Sequence, residues 1–114
     1  MKLNHLHLIV PDVRAAAGFF EKYFGLQVRG GNAGLTVLQD EAGFVLTLMK
    51  AGVRSGHTYP EQFHVGFFIE DEASVDTIHR RMADDGIGVS APARAHAYSF
   101  YANAPGGLLV EVGA

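Results

Sequence analysis

Apolar and polar residues alternate from Leu3 to Val10, which predicts a strand with Leu3, His5, His7 and Ile9 on one face and Leu6, Leu8 and Val10 on the other. The rhythm then changes to that of a helix. Val13, Ala16, Phe20 and Phe24 form its apolar stripe, Asp12 is placed to cap its start, and Gly25 ends it. Strands follow near Gln27, at Leu35 to Leu38 and from Phe44 to Met49, the last two joined by a hairpin turn at Asp40-Glu41-Ala42-Gly43. The stretch from Lys50 to Gln62 carries Gly52, Ser55, Gly56 and Pro60 with little periodicity and reads as a linker. The whole series then begins again. His64 to Ile69 is a strand, and Val75, Ile78 and Met82 lie on one face of a helix from about Ala73 to Asp85 that Gly86 ends. Strands near Val89, around Tyr98 to Asn103 and from Leu108 to Val112 complete the set, with Pro105-Gly106-Gly107 as a tight turn.

Strand, helix and three strands thus occur twice, about 60 residues apart, as expected of an internal duplication. His5-Leu6-His7-Leu8-Ile9-Val10-Pro11-Asp12 answers to His64-Val65-Gly66-Phe67-Phe68-Ile69-Glu70-Asp71, Gly25 to Gly86, and Thr47 to Glu111. The expected fold is α+β: a single domain, residues 1–114, of two tandem βαβββ modules that form a curved mixed sheet around a trough. Module 1 covers about residues 1–50, the linker 51–62, and module 2 about 63–114. A pseudo-twofold axis between the copies would allow His5, Thr47, His64 and Glu111 to converge, and three of these can hold a metal ion.

Composition narrows the chemistry. With 114 residues, each copy alone is too short to bury much of its surface, so the copies must pack on each other or on another subunit. No apolar run approaches the roughly 18 residues that span a membrane, and the opening Met1-Lys2-Leu3-Asn4-His5 starts no signal peptide, so the expected location is cytoplasmic. The chain has no cysteine, which removes disulfides, thiolate sites and cysteine nucleophiles. A formal charge of −3, with acidic and basic residues scattered, gives no footprint for nucleic acid, and the Arg80-Arg81 pair reads as a solvated helix face. A small molecule is the expected partner.

Glu111 stands between Val110 and Val112 in an apolar run, where an uncompensated carboxylate costs several kcal/mol. A cation compensates well, and no arginine or lysine lies in the same strand or its turn. Two histidines and a carboxylate leave open positions on the ion and suit Fe(II), Mn(II), Ni(II) or Zn(II). Such a centre favours a substrate that chelates through two neighbouring oxygens, with the metal as a Lewis acid. Each histidine also has an ordinary structural reading, as a hydrogen-bonded strand residue. His7 lies about 6.7 Å along the same face from His5 and could be an alternative ligand, an outer partner or a base, of which a non-ligand role near the pocket is preferred. His96 could reach the trough from a loop, whereas His57 in the linker and His79 on a helix are expected to be exposed.

These motifs, over nearly the whole chain, resemble the vicinal oxygen chelate superfamily, which includes glyoxalase I, fosfomycin-resistance thiol transferases, methylmalonyl-CoA epimerase, extradiol dioxygenases and bleomycin-resistance proteins. Leu3 to Asp12 resembles its opening strand, Phe19-Phe20-Glu21-Lys22-Tyr23-Phe24-Gly25-Leu26 its helix-to-strand signature, and Phe63 to Phe67 and Pro105 to Glu111 the segments carrying the second histidine and the final carboxylate. The resemblance implies metal ligation by His5, His64 and Glu111 and a homodimer, sometimes with modules exchanged between subunits. Thr47 stands where glyoxalase I has a metal-binding glutamate, which argues against a two-glutamate proton shuttle. The remaining triad is similar to that of the fosfomycin transferases, and Ser99-Phe100-Tyr101 resembles their substrate-facing strand, so Ser99 and Tyr101 are candidate pocket residues. The chain ends at Ala114 without the basic tail of those transferases, an expectation against fosfomycin as substrate.

The reading is a divalent-metal-dependent enzyme, a lyase or isomerase, a thiol transferase or a dioxygenase, acting on a small oxygen-chelating substrate. His7 and Tyr101 are its candidate catalytic residues, and Thr47, Ser99, Tyr101 and His96 its candidate substrate contacts. The rival is a metal-free antibiotic-binding protein of the bleomycin-resistance type.

Overall fold

The computed structural model describes residues 1–52 and 58–114. The chain divides into two compact units, Met1–Thr58 and Tyr59–Ala114. In the first, β1 (His5–Val10), α1 (Val13–Phe24), β2 (Gln27–Gly31), β3 (Leu35–Gln39) and β4 (Val45–Lys50) form a mixed sheet in the order β1-β4-β3-β2. The second contains β5 (His64–Phe68), α2 (Glu72–Asp84), β6 (Ala93–Arg94), β7 (Tyr98–Asn103) and β8 (Leu109–Gly113), ordered β5-β8-β7-β6. Each unit is a βαβββ module with the same strand order. In each, the first strand pairs in parallel with the last, and the remaining pairs are antiparallel.

The duplication extends to the register. His5 lies opposite Val45 and His7 opposite Thr47, while His64 lies opposite Leu109 and Gly66 opposite Glu111. Positions 5 and 64, 7 and 66, and 47 and 111 are therefore equivalent in the two ladders.

Helix α1 forms as its stripe requires. The Asp12 carboxylate accepts the Ala15 N–H at 3.0 Å, and Gly25, at φ 66, closes the other end with its N–H on the Glu21 carbonyl. Val13, Ala16 and Phe20 are buried, with Leu8, Val10, Leu38, Leu46 and Leu48 supplying the apolar side of the sheet. Burying a side chain such as Phe20 contributes about 1.5–3 kcal/mol. Helix α2 repeats the device with Asp71 accepting from Ser74 N–H at 2.7 Å, and it rests on β7 and β8 with Val75 and Met82 fully buried.

Several expectations need correction. Leu3 precedes β1 and is exposed. Val89 makes a single bridge to Ala102, and the strand is instead the short pair Ala93–Arg94; Pro92, which has no N–H to give a ladder, lies between them. His79 is half-buried, its ring edge-on to Phe100 at 5.0 Å, because the imidazole body fills space against a core aromatic. His57 lies outside the described residues. No helix of the described residues is long and apolar enough to cross a membrane.

The β2–β3 connection carries the tightest backbone approach. Gly31 has φ 115, and a Cβ there would stand 2.2 Å from the Leu35 carbonyl oxygen, whereas one at Gly30 would meet nothing within 4 Å. Gly31→Ala is expected to lower stability by at least about 1–3 kcal/mol through backbone strain, and Gly30→Ala by much less. Equal denaturant midpoints for the two variants would refute this account of the turn.

Candidate functional site

Alternation along β8 sends Val110 and Val112 toward α2 and Glu111 to the other face of the sheet. Glu111 is nevertheless only 4% exposed. Its neighbours on that face come from the flanking strands: Tyr101 lies directly across in the β7 ladder, Gly66 directly across in β5, and Ser99 two residues before Tyr101. The Ser99 hydroxyl donates to Glu111 Oε1 at 2.9 Å. His96, from the turn between β6 and β7, places Nε2 at 3.0 Å from the same oxygen although its side chain is 61% exposed. His64, the first residue of β5, places Nε2 at 3.4 Å from Oε2. Its ring meets Tyr101 edge-to-face at 5.5 Å, and the His96 ring stacks on the exposed Phe68 at 6.5 Å.

The outer nitrogen of His64 fixes what the inner one can do. His64 Nδ1 lies 2.8 Å from the Gln62 carbonyl oxygen, which can only accept, so Nδ1 carries a proton and donates it there. Gln62 adopts φ 68, a left-handed conformation uncommon for a residue with a side chain, to present that carbonyl. In the neutral ring, Nε2 then bears a lone pair and faces a carboxylate oxygen. Two acceptors meeting at this distance need a proton or a cation between them, so the pair His64 and Glu111 fits a divalent ion.

The first unit carries a related arrangement on its own sheet. His5 Nδ1 lies 2.7 Å from Asn4 Oδ1, which again leaves Nε2 available. His5, His7 and Thr47 share one face of that sheet, with His7 standing where the second unit has glycine. The structure thus brings His64, His96, Ser99, Tyr101 and Glu111 together in one unit and aligns His5, His7 and Thr47 in the other. Among the described residues no three His, Asp or Glu side chains form a closed ligand set. His64 Nε2 and Glu111 Oε2 face each other at 3.4 Å.

Tyr101 has its hydroxyl pKa raised by burial first and by the neighbouring Glu111 carboxylate second, so it remains a proton donor well into alkaline solution. Sequence reasoning missed Asn4, Gln62, Gly66 and Phe68. Asn4 and Gln62 stand within two residues of the duplicated histidines, which was the available signal.

Comparison with known proteins accords with this architecture. A structure of a possible glyoxalase from Bacillus cereus is 46% identical, with a TM-score of 0.92, covering 100% of this chain and 99% of that one. An uncharacterised protein of Pseudomonas aeruginosa is 33% identical over 97 residues, which are 79% of this chain and 69% of that protein. Lactoylglutathione lyase from Agrobacterium tumefaciens is 26% identical at a TM-score of 0.76, covering 98% of this chain and 92% of that one. The genomically encoded fosfomycin resistance protein of Listeria monocytogenes, in complex with Mn(II) and sulfate, shares the fold at a TM-score of 0.79 and 22% identity, covering 99% of this chain and 89% of that one. The family model described as Glyoxalase/Bleomycin resistance protein/Dioxygenase superfamily matches residues 2–112, and the chain belongs to that superfamily.

Proposed function

We propose that this protein is a divalent-metal-dependent enzyme of the cytoplasm, acting on a small substrate with two neighbouring oxygens. His5, His64 and Glu111 are the ligands in this reading, drawn together within one domain or across a homodimer. The observation that carries it is the approach of His64 Nε2 to 3.4 Å from the buried Glu111 Oε2, with Nδ1 already at the Gln62 carbonyl. Fe, Mn, Ni and Zn all suit two imidazoles and a carboxylate. When bound, the ion supplies Lewis-acid stabilisation to a substrate oxygen.

The remaining residues have roles set by their chemistry. Tyr101, held protonated beside Glu111, donates a hydrogen bond to a substrate oxygen. His7 is the proton-accepting group, on the same sheet face as His5 and directly across from Thr47. Thr47 offers a hydrogen-bonding contact to the substrate, while Ser99 and His96, the other expected substrate contacts, have the Ser99 hydroxyl and His96 Nε2 turned to Glu111 Oε1. Lactoylglutathione lyase among the relatives supports an isomerase or lyase, although the Thr47 hydroxyl cannot serve as a second carboxylate.

A second reading, a metal-free small-molecule binder, draws on the partners that Ser99 and His96 already give Glu111. Metal analysis separates the two. The enzyme reading expects a stoichiometric divalent ion in protein purified without chelators, and a loss of affinity beyond about a hundredfold in Glu111→Ala, His64→Ala and His5→Ala. It also expects about 2.7 kcal/mol of stabilisation when free metal exceeds Kd a hundredfold. Full occupancy in Glu111→Ala, or stabilisation by hydrophobic drugs with no effect of metal, would defeat it.

Tyr101 adds a pH test. Because its folded-state pKa is raised, its tyrosinate should form only above the ordinary tyrosine range, and the stability it lends should be complete below that range and fade as pH rises through the raised value. Glu111→Gln removes the charge contribution and leaves burial, so the titration should move partway back. The ultraviolet titration difference between wild type and Tyr101→Phe reads this, and an unchanged midpoint in Glu111→Gln would disprove the coupling.

A further inference from the structure

The two oxygens of Glu111 are not equivalent. Oε1 has two partners, the Ser99 hydroxyl at 2.9 Å and His96 Nε2 at 3.0 Å, whereas Oε2 faces His64 Nε2 at 3.4 Å, with the Tyr101 hydroxyl also hydrogen-bonding the carboxylate. The space beside Oε2 is kept open because the residue across the ladder is Gly66, whose notional Cβ would come to 3.8 Å of that oxygen. One side of the carboxylate is anchored and the other is presented.

His96 does not reach Oε1 by chance of a loose loop. Both flanks of its turn are fastened to helix α2. Arg94, two residues before it, makes a bidentate pair with Glu72, and Tyr98, two residues after it, donates its hydroxyl to Asp76 Oδ1 at 2.6 Å. The Arg94 guanidinium also lies over the Tyr98 ring at 5.1 Å, and within the turn Ala95 N–H reaches the Ala97 carbonyl at 3.0 Å. Glu72 and Asp76 are four apart on one helix, so they face the same way and can hold the two ends of one turn. Each exposed pair alone is worth little, but together they limit the positions that the His96 ring can take. Phe68 backs the ring from the sheet side.

We propose that Ser99 and His96 are positioning residues that hold Glu111 by Oε1, so that it offers Oε2 alone to the ion, and that the Glu72–Arg94 and Asp76–Tyr98 clasp sets His96 for this task. The inference rests on the metal reading above and adds which oxygen ligates and what orients it. An acceptor-only carboxylate requires His96 to present an Nε2–H, which fixes its tautomer. A carboxylate held on one oxygen loses less freedom when the other takes up an ion.

Two measurements on the full chain decide it. In metal-free protein, nitrogen-detected NMR of the imidazoles should find His96 protonated at Nε2, and the His96 resonances should shift in the double variant Glu72→Gln, Asp76→Asn. His96 carrying its proton on Nδ1 alone, or resonances indifferent to the double variant, would overturn the anchoring. In the second, Mn(II) is titrated into wild type and variants with unbound Mn(II) read by electron paramagnetic resonance. Ser99→Ala and His96→Ala should each weaken binding about 10–100-fold, as loss of outer partners does, the clasp variant less, and His96→Gln, which keeps an N–H donor, should recover most of the loss. Wild type that takes up no Mn(II) would sink the metal reading itself. Wild type that binds while Ser99→Ala and His96→Ala bind equally well would sink only this inference, as would a His96→Ala defect equal to that of His64→Ala and not rescued by glutamine, since His96 would then be a ligand.

Discussion

A carboxylate removed from water in the middle of β8 constrains everything around it. Glu111 is charged in its ordinary form, and desolvation without partners costs more than the strand's packing could repay. The sheet resolves this by register. Parallel pairing with β5 brings His64 two residues from the Gly66 partner position, and antiparallel pairing with β7 brings Tyr101 directly across and Ser99 next along the same face. A slip of one residue in β8 would turn Glu111 toward α2 and put Val110 and Val112 on the polar face. The apolar contacts of Val110 and Val112 therefore lock the register that makes the polar face possible.

The same frame in the first unit shows how duplication and divergence divide the work. The ladders of the two units superpose position by position, yet the residues at the key positions are exchanged in size and charge. Where the second unit has a carboxylate opposite glycine, the first has threonine opposite histidine. An open space beside Glu111 and an added imidazole beside Thr47 are the two results. Both units keep the leading histidine with Nδ1 occupied by a neighbouring oxygen, although by different means, an amide side chain from Asn4 and a left-handed backbone at Gln62.

The fold was legible because its signals are local. Alternation in Leu6, Leu8 and Val10, the stripe of Val13, Ala16 and Phe20, and the caps Asp12 and Gly25 all act within a few residues, and the structure agrees with them. Val89 misled because a β-branched residue favours a strand, while the pairing that begins with its bridge to Ala102 is not continued by Ala91 and Pro92. In the candidate site, His64 and Glu111 could be placed by the duplication, which aligned His5 with His64 and Thr47 with Glu111, whereas Ser99 and Tyr101 came from the resemblance of Ser99-Phe100-Tyr101 to a substrate-facing strand. His96 was harder, because its position depends on a turn held by side chains from α2, and no periodicity encodes Arg94 meeting Glu72 or Tyr98 meeting Asp76. The Gln62 carbonyl was invisible for a stronger reason. Backbone atoms have no letter in the sequence, and a left-handed φ at glutamine carries no propensity signal.

The layering of the cluster bears on what it can recognise. The acid lies inside, while the imidazoles stand toward solvent, His64 at 38% and His96 at 61% side-chain exposure. A ligand arriving from solvent therefore meets the rings before the charge, and the charge sits where water competes least with it. Such an order suits a cation or a proton-bearing group that must be held firmly once it has passed the rim. It does not suit an anion, which would confront Glu111 directly unless positive charge stood between them. An oxygen-rich, electron-donating substrate would accord with this carboxylate only with a cation between the two, which is the place that the proposed metal ion would take beside His64.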